Sequence, residues 1–136
     1  MTRQFAIKLF ALAALAIAAA TSAVAHHAFV VEYDLDERIE LTGAITRARF
    51  IYPHSWLYIE VVSDEGYAEE WSIEGATPAT LMRRGWDSDS LTAGTVIQAK
   101  GYQAKDNSRR VAGWEIRLPG GEVLFMASAG ISHLEK

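Results

Sequence analysis

Apolar and polar residues alternate in several short runs of this sequence, and turn-forming residues separate the runs. A two-residue period places the apolar side chains on one face of an extended strand, so the pattern predicts five to six short strands. The runs comprise residues 39–50, 56–62, 69–73, 95–103, 110–118 and 122–126. Gly43 falls where the alternation of the first run slips, which predicts a β-bulge at that residue.

The period changes once, between the third and fourth runs. Thr77 is followed by Pro78, and the segment closes with Arg83, Arg84 and Gly85. A capping Thr, a Pro at the first helical position, basic residues in the last turn and a Gly beyond it are typical of a short helix. This order predicts an all-β domain with one short helix, an OB-fold-like small β-barrel. The alternative is a two-sheet sandwich, which usually has more strands and no helix.

The first 25 residues differ from the rest of the chain. Residues 1–8 contain two basic residues and no acid, residues 9–20 are continuously apolar, and Ala23-Val24-Ala25 follows. This succession is typical of a cleaved secretory signal peptide. The apolar core is shorter than the about 20 residues of a membrane-spanning helix. We therefore expect export across the inner membrane, a periplasmic location, and no stable membrane insertion after cleavage.

Length and charge limit what the remaining chain can be. Removal of 25 residues from 136 leaves 111, which suits one domain with one core. The sequence contains no Cys, so packing alone must hold that domain together. The predicted parts are an extended segment 26–38, the barrel domain 39–126 and a flexible tail 127–136. The remaining part has 11 basic and 17 acidic residues, a formal charge of 11 − 17 = −6, which argues against a nucleic-acid partner.

Motifs for common enzymatic chemistry are missing. There is no phosphate-binding loop, no dinucleotide-binding glycine motif and no G-x-S-x-G elbow. Ser55 adjoins His54, but neighbours on an extended chain point to opposite faces, so the two do not form a nucleophile and its base. The sequence therefore favours a binding protein over an enzyme.

Three histidines carry the main functional hypothesis. Cleavage after Ala25 makes His26 the first residue, whose α-amine and Nδ1 chelate one metal ion. His54 follows Pro53 at the turn between the first two runs, and its imidazole completes a T-shaped set of three nitrogens. Such nitrogen ligation suits Cu(II). We expect copper bound by His26 and His54, with His27 as an auxiliary ligand.

Two alternatives to a copper carrier remain open. The histidines can be ordinary solvated residues, with His54 hydrogen-bonded within its own turn. Redox catalysis by a bound copper ion is the other, because the residues do not distinguish a carrier from an enzyme. His133, near the end of the chain, is left out of the ligand set.

Aromatic side chains support a second hypothesis from another class. Trp56, Tyr58, Trp71, Tyr102 and Trp114 alternate with other residues along the predicted strands. An exposed subset would form a stacking surface for a glycan, a peptide or a partner protein of the cell envelope; otherwise these residues form the core. The candidate ligand-binding residues are Tyr52, Trp56 and Trp86.

Several of these motifs together resemble a known protein family. The motifs are Ala25-His-His-Ala-Phe29, Leu41-Thr-Gly43, Tyr52-Pro-His-Ser-Trp56, Leu81-Met-Arg-Arg-Gly-Trp86, Leu91-Thr-Ala-Gly94 and Gly101-Tyr-Gln-Ala-Lys-Asp106. In this set the chain resembles the DUF6152 family of bacterial exported proteins, whose function is unknown. Members read H-H-S-F and N-P-H-x-W where this chain has Ala28 and Tyr52 in place of Ser and Asn, so every histidine is retained. The resemblance implies an exported β-rich domain and no particular activity.

Overall fold

The computed structural model describes residues 29–87 and 91–128 and the single residues 7, 89 and 131. Residues 29–32 are helical. The six strands, and the helix between the third and fourth of them, have these bounds: β1 (Tyr33–Arg49), β2 (Trp56–Val62), β3 (Ala68–Glu74), α1 (Pro78–Arg83), β4 (Val96–Ala104), β5 (Arg110–Arg117) and β6 (Val123–Phe125). The predicted β-rich class, the six strands and the helix between the third and fourth strands are confirmed.

The strands form one mostly antiparallel sheet in the order β3-β2-β1-β4-β5-β6. The exception is a parallel pairing, in which Ser72, Ile73 and Glu74 of β3 lie against Arg110, Val111 and Ala112 of β5. Because β3 also pairs with β2, this contact completes a ring of hydrogen bonds through β1, β2, β3, β5 and β4.

Strand β1 begins earlier than the alternation predicts, at Tyr33 instead of Ile39. Tyr33 pairs with Ala104 and Arg38 pairs with Tyr102, so residues 34–37 face Gln103 alone. The acidic residues of this irregular stretch interrupt the apolar period, which is why the pattern does not reveal the strand. Residues 33–38 of the segment 26–38, which was predicted as an N-terminal extension, therefore belong to the sheet.

The bulge predicted at Gly43 lies elsewhere. Gly43 pairs regularly with Ile97, and the shift between β1 and β2 falls between Ile45 and Arg47. Gly43 is explained instead by close packing of the backbone, because a Cβ at this position would lie 2.5 Å from the carbonyl oxygen of Glu60. The prediction of a bulge at Gly43 was wrong, although the first strand does contain bulges.

The main core fills one face of the sheet and also takes residues from α1 and the loops. Its buried members are Leu41, Ile45, Leu57, Ile59, Ile73, Ala76, Leu81, Trp86, Leu91, Ile97, Ala99, Val111, Ile116, Leu118, Leu124 and Met126. The N-cap of α1 is Thr77, as predicted, and its side-chain oxygen accepts a hydrogen bond from the Thr80 backbone N–H at 3.3 Å.

A second buried cluster lies on the opposite face. Val111 belongs to the main core and Ala112 to the second cluster, and successive residues of a strand point to opposite faces. The second cluster comprises Tyr33, Tyr102, Ala104, Ala112, Trp114, Ala127 and Ile131, with Phe29 and Leu35 packed against it. Ala127 and Ile131, which the sequence places in an aperiodic tail, are buried here.

We predict that Gly43→Ala destabilises the protein by about 1–3 kcal/mol, because the new methyl group meets backbone that cannot move without disturbing the β1–β2 pairing. Chemical denaturation measures the free energy of unfolding. Thr42→Ala, at the exposed neighbouring position, is the matched control. Equal stability of Gly43→Ala and the wild type would contradict the packing argument.

Candidate functional site

His54 lies in the loop between β1 and β2, and backbone hydrogen bonds fix that loop to the end of β3. The Ser55 N–H donates to the Ala76 carbonyl at 3.0 Å, and the Gly75 N–H donates to the Ser55 carbonyl at 2.9 Å. The chain on either side of this pairing therefore places His54 beside Glu74. Ser55 is buried, whereas the His54 side chain is 42% exposed, so the two adjacent side chains face different surroundings.

The Glu74 carboxylate connects two other side chains through separate oxygens. Its Oε1 contacts Nδ1 of His54, and its Oε2 accepts a hydrogen bond from the Tyr33 hydroxyl. The Glu74 side chain is only 12% exposed. Among the described residues, the structure records no hydrogen-bond partner for Nε2 of His54.

Tyr33 reaches Glu74 from a distant strand. Tyr33 is 2% exposed and packs in the second cluster with Ala104 and Ala112, which lie on β4 and β5 between β1 and β3. These small side chains leave room for the tyrosine side chain to pass over both strands. Burial, and then the hydrogen bond to Glu74, raise the pKa of Tyr33 above its ordinary value. The phenol therefore keeps its proton and acts as the donor to Glu74.

The segment before β1 is held against the same tyrosine. The Phe29 ring stacks on the Tyr33 ring with centroids 5.1 Å apart. Lys105 adds two hydrogen bonds, from Nζ to the Val30 carbonyl at 2.7 Å and from its backbone N–H to the Glu32 carbonyl at 2.9 Å. Residues 29–32 are thus fixed next to the group that contacts Glu74.

The predicted metal ligands are described only in part. His54 is placed as above, whereas His26 and His27 lie outside the described residues. Within the described ranges, no group of three or more His, Cys, Asp or Glu side chains is arranged to hold a metal ion.

Glu74 and Tyr33 were missed by the sequence analysis. Glu74 pairs with Trp56 across β2 and β3. The register of this predicted hairpin could therefore have placed Glu74 close to the loop that carries His54. Tyr33 gave no local signal, because it lies 41 residues from Glu74 and before the first alternating run.

The three aromatic candidates have different surroundings. Tyr52 is 71% exposed in the loop beside His54, and Trp56 is partly buried at the start of β2. Trp86 is 5% exposed, and its Nε1–H donates to the Phe125 carbonyl at 3.1 Å. Core packing accounts for Trp86 without a ligand, so Tyr52 and Trp56 are the members of this set that reach the surface near His54.

Comparison with protein families agrees with the motifs. A model described as a family of unknown function (DUF6152) matches residues 14–113, which is well over half of the chain. The chain belongs to the DUF6152 family. The matched range contains the candidate residues His26, His27 and His54 of this DUF6152 protein, and also Tyr33 and Glu74. No curated protein matches the sequence.

In the part of the chain that the structure describes, no helix has the length and apolar character needed to cross a membrane.

The raised pKa of Tyr33 predicts a pH dependence of stability. In the unfolded chain tyrosine ionises at about pH 10, whereas the folded protein keeps the Tyr33 proton to higher pH. The stabilisation from protonated Tyr33 is therefore complete below about pH 10 and is lost as the pH rises further. Tyr33→Phe lacks this group, so the wild type is more stable by about 1 kcal/mol near neutrality and the difference shrinks at alkaline pH.

Free energies of unfolding measured for both proteins from neutral to strongly alkaline pH test this expectation. Tyr67→Phe, which removes an exposed tyrosine, reports the general effect of deleting one tyrosine. A difference between wild type and Tyr33→Phe that stays constant over the whole range would contradict the prediction.

Proposed function

We propose that this DUF6152 protein is an exported, periplasmic, OB-like protein that binds one Cu(II) ion through His26 at the mature N-terminus and through His54, with His27 as an auxiliary ligand. It acts as a copper carrier, scavenger or sensor. The OB-like interpretation is supported by the ring of hydrogen bonds through five strands and by the helix between β3 and β4.

The contact between His54 and Glu74 carries the proposal. Histidines that bind metals commonly donate their other ring N–H to a carboxylate, which orients the ring and raises its basicity. Glu74 occupies Nδ1 in this way. A largely buried carboxylate is also costly unless positive charge lies nearby, and a cation bound at Nε2 supplies that charge.

The position of Phe29 supports the participation of His26. His26 precedes Phe29 by three residues, which span about 10 Å when extended. Phe29 stacks on Tyr33, whose hydroxyl contacts the same carboxylate as His54. The chain is therefore anchored, three residues after His26, to the surface that carries His54.

The chemistry of the proposed ligands favours Cu(II). An α-amine and two imidazoles provide nitrogen donors, which suit the tetragonal preference of Cu(II) and its place at the top of the divalent affinity order. Because the amine must lose its proton, which it does at about pH 8, binding strengthens as the pH rises through neutrality. Bound in this way, the ion would be held for transfer or sensing.

A second candidate function is a metal-free binding module that recognises a glycan, a peptide or a partner protein of the envelope. It is supported by the loop beside His54, where Ile51 and Tyr52 are exposed and Trp56 is partly buried. Exposed aromatic side chains with an apolar body and a polar tip are suited to such recognition.

Titration with Cu(II) tests the first function. The protein is exported natively, mass spectrometry confirms that His26 is the first residue, and a matched protein carries one additional residue before His26. We expect one tightly bound Cu(II) ion per chain, and at least tenfold weaker binding, about 1.4 kcal/mol, in the extended protein. Weak binding, or equal binding by both proteins, would exclude the N-terminal site and favour the second candidate.

Substitution of His54 tests the other half of the proposed site. In His54→Gln we expect at least tenfold weaker Cu(II) binding and the loss of one nitrogen from the electron paramagnetic resonance spectrum of the bound ion. His133→Gln, outside the proposed ligand set, is the matched control and should bind like the wild type. An unchanged spectrum in His54→Gln would show that His54 is not a ligand.

A further inference from the structure

We infer that Glu74 and Tyr33 are positioning residues for His54: Glu74 holds the Nδ1 proton of the ring and so presents Nε2 to the ligand, and Tyr33 holds Glu74 in that orientation. Glu74 and Tyr33 hold the ring in this way in the metal-free protein. Their effect on copper binding rests on the proposed function.

The contact with Glu74 fixes the position of the proton on the neutral His54 ring. A carboxylate only accepts hydrogen bonds, so the contact between Glu74 Oε1 and His54 Nδ1 requires a proton on Nδ1. In the neutral ring the lone pair then lies on Nε2. The contact therefore selects one of the two neutral tautomers, and it selects the one whose lone pair points away from Glu74.

The orientation of the Glu74 carboxylate is fixed by its two contacts. Its two oxygens have different partners, His54 at Oε1 and Tyr33 at Oε2, so rotation of the carboxylate breaks a contact on each side. Tyr33 is itself buried in the second cluster and cannot follow such a rotation. Among the described residues, His54 is the basic group with which the structure pairs Glu74.

Tyr33 also holds the segment that precedes β1. The Tyr33 ring supports Phe29 by stacking, while the Tyr33 hydroxyl supports Glu74. Tyr33 thus contacts both Glu74, which lies beside His54, and Phe29, which follows His26 by three residues. Loss of the hydroxyl alone leaves the ring for Phe29 and removes the support for Glu74, so Tyr33→Phe separates these two roles.

Nitrogen NMR of the metal-free protein tests the positioning of the ring. At a pH above which the ¹⁵N shifts of the ring no longer change, they report which nitrogen of the neutral imidazole carries the proton. We expect Nδ1–H in the wild type and a shift toward Nε2–H in Glu74→Ala. Glu70→Ala, which removes an exposed Glu from the same face of β3, is the matched control and should retain Nδ1–H. A wild-type ring protonated on Nε2, or one unchanged in Glu74→Ala, would overturn the inference.

Copper titration of the same variants tests the consequence for binding. We expect Glu74→Ala to weaken Cu(II) binding by 10–100-fold, about the loss found when the carboxylate partner of a metal-binding histidine is removed. Tyr33→Phe should cost several-fold in the wild-type background and nothing further in Glu74→Ala. If Glu74→Ala does not fold, Glu74→Gln keeps the shape and removes the charge, and it should still weaken binding. Unchanged affinity in the folded variants would overturn the role of Glu74.

These measurements separate the two proposals. Absence of Cu(II) binding, together with a tautomer that depends on Glu74, would reject the copper function and retain the positioning of His54. Tight binding by His26 and His54 with a tautomer independent of Glu74 would retain the copper function and reject the positioning.

Discussion

The parallel pairing of β3 with β5 is the contact on which the rest of the structure depends. It joins Ser72, Ile73 and Glu74 to Arg110, Val111 and Ala112, and it turns an open antiparallel sheet into a ring of hydrogen bonds. Because side chains alternate along each strand, closure sends Ile73 and Val111 into the main core and turns Glu74 and Ala112 to the opposite face. The same pairing that encloses the core therefore brings a carboxylate to the surface where Tyr33 and His54 reach it.

The second cluster explains how so small a domain holds an anionic group in a largely buried position. Ala104 and Ala112 leave space for the Tyr33 side chain, which reaches Glu74 from β1, and Phe29 covers the Tyr33 ring from the other side. The Tyr33 hydroxyl donates a hydrogen bond to the Glu74 carboxylate, which burial would otherwise leave without enough hydrogen-bond partners. The same carboxylate contacts the His54 imidazole. Packing and polar contacts at this face thus form one connected unit, and the N-terminal segment is part of it.

Both candidate functions use the loop between β1 and β2. A copper site places His54 at its centre, whereas a recognition surface relies on Tyr52 and Trp56 beside it. The contact between Glu74 and His54 favours the metal site over the recognition surface as the candidate function. It places a negatively charged carboxylate on one ring nitrogen, as is common for metal-binding histidines, and a stacking surface does not require this. Trp86 stands apart from this loop, since its indole is enclosed in the core and bonded to the Phe125 carbonyl.

Local patterns in the sequence determined β2, the helix with its Thr77 cap, and the β-rich class, because alternation and capping depend on residues close together in the chain. They also singled out His54 within its turn. Tertiary structure alone decided the start of β1, the true position of its bulge, the burial of Ile131, and the meeting of Tyr33 with Glu74. These features arise from strand register and from the closure between β3 and β5, which join residues tens of positions apart. A periodic pattern predicts which face of a strand a residue occupies. Only the pairing of strands decides which other residues it contacts on that face.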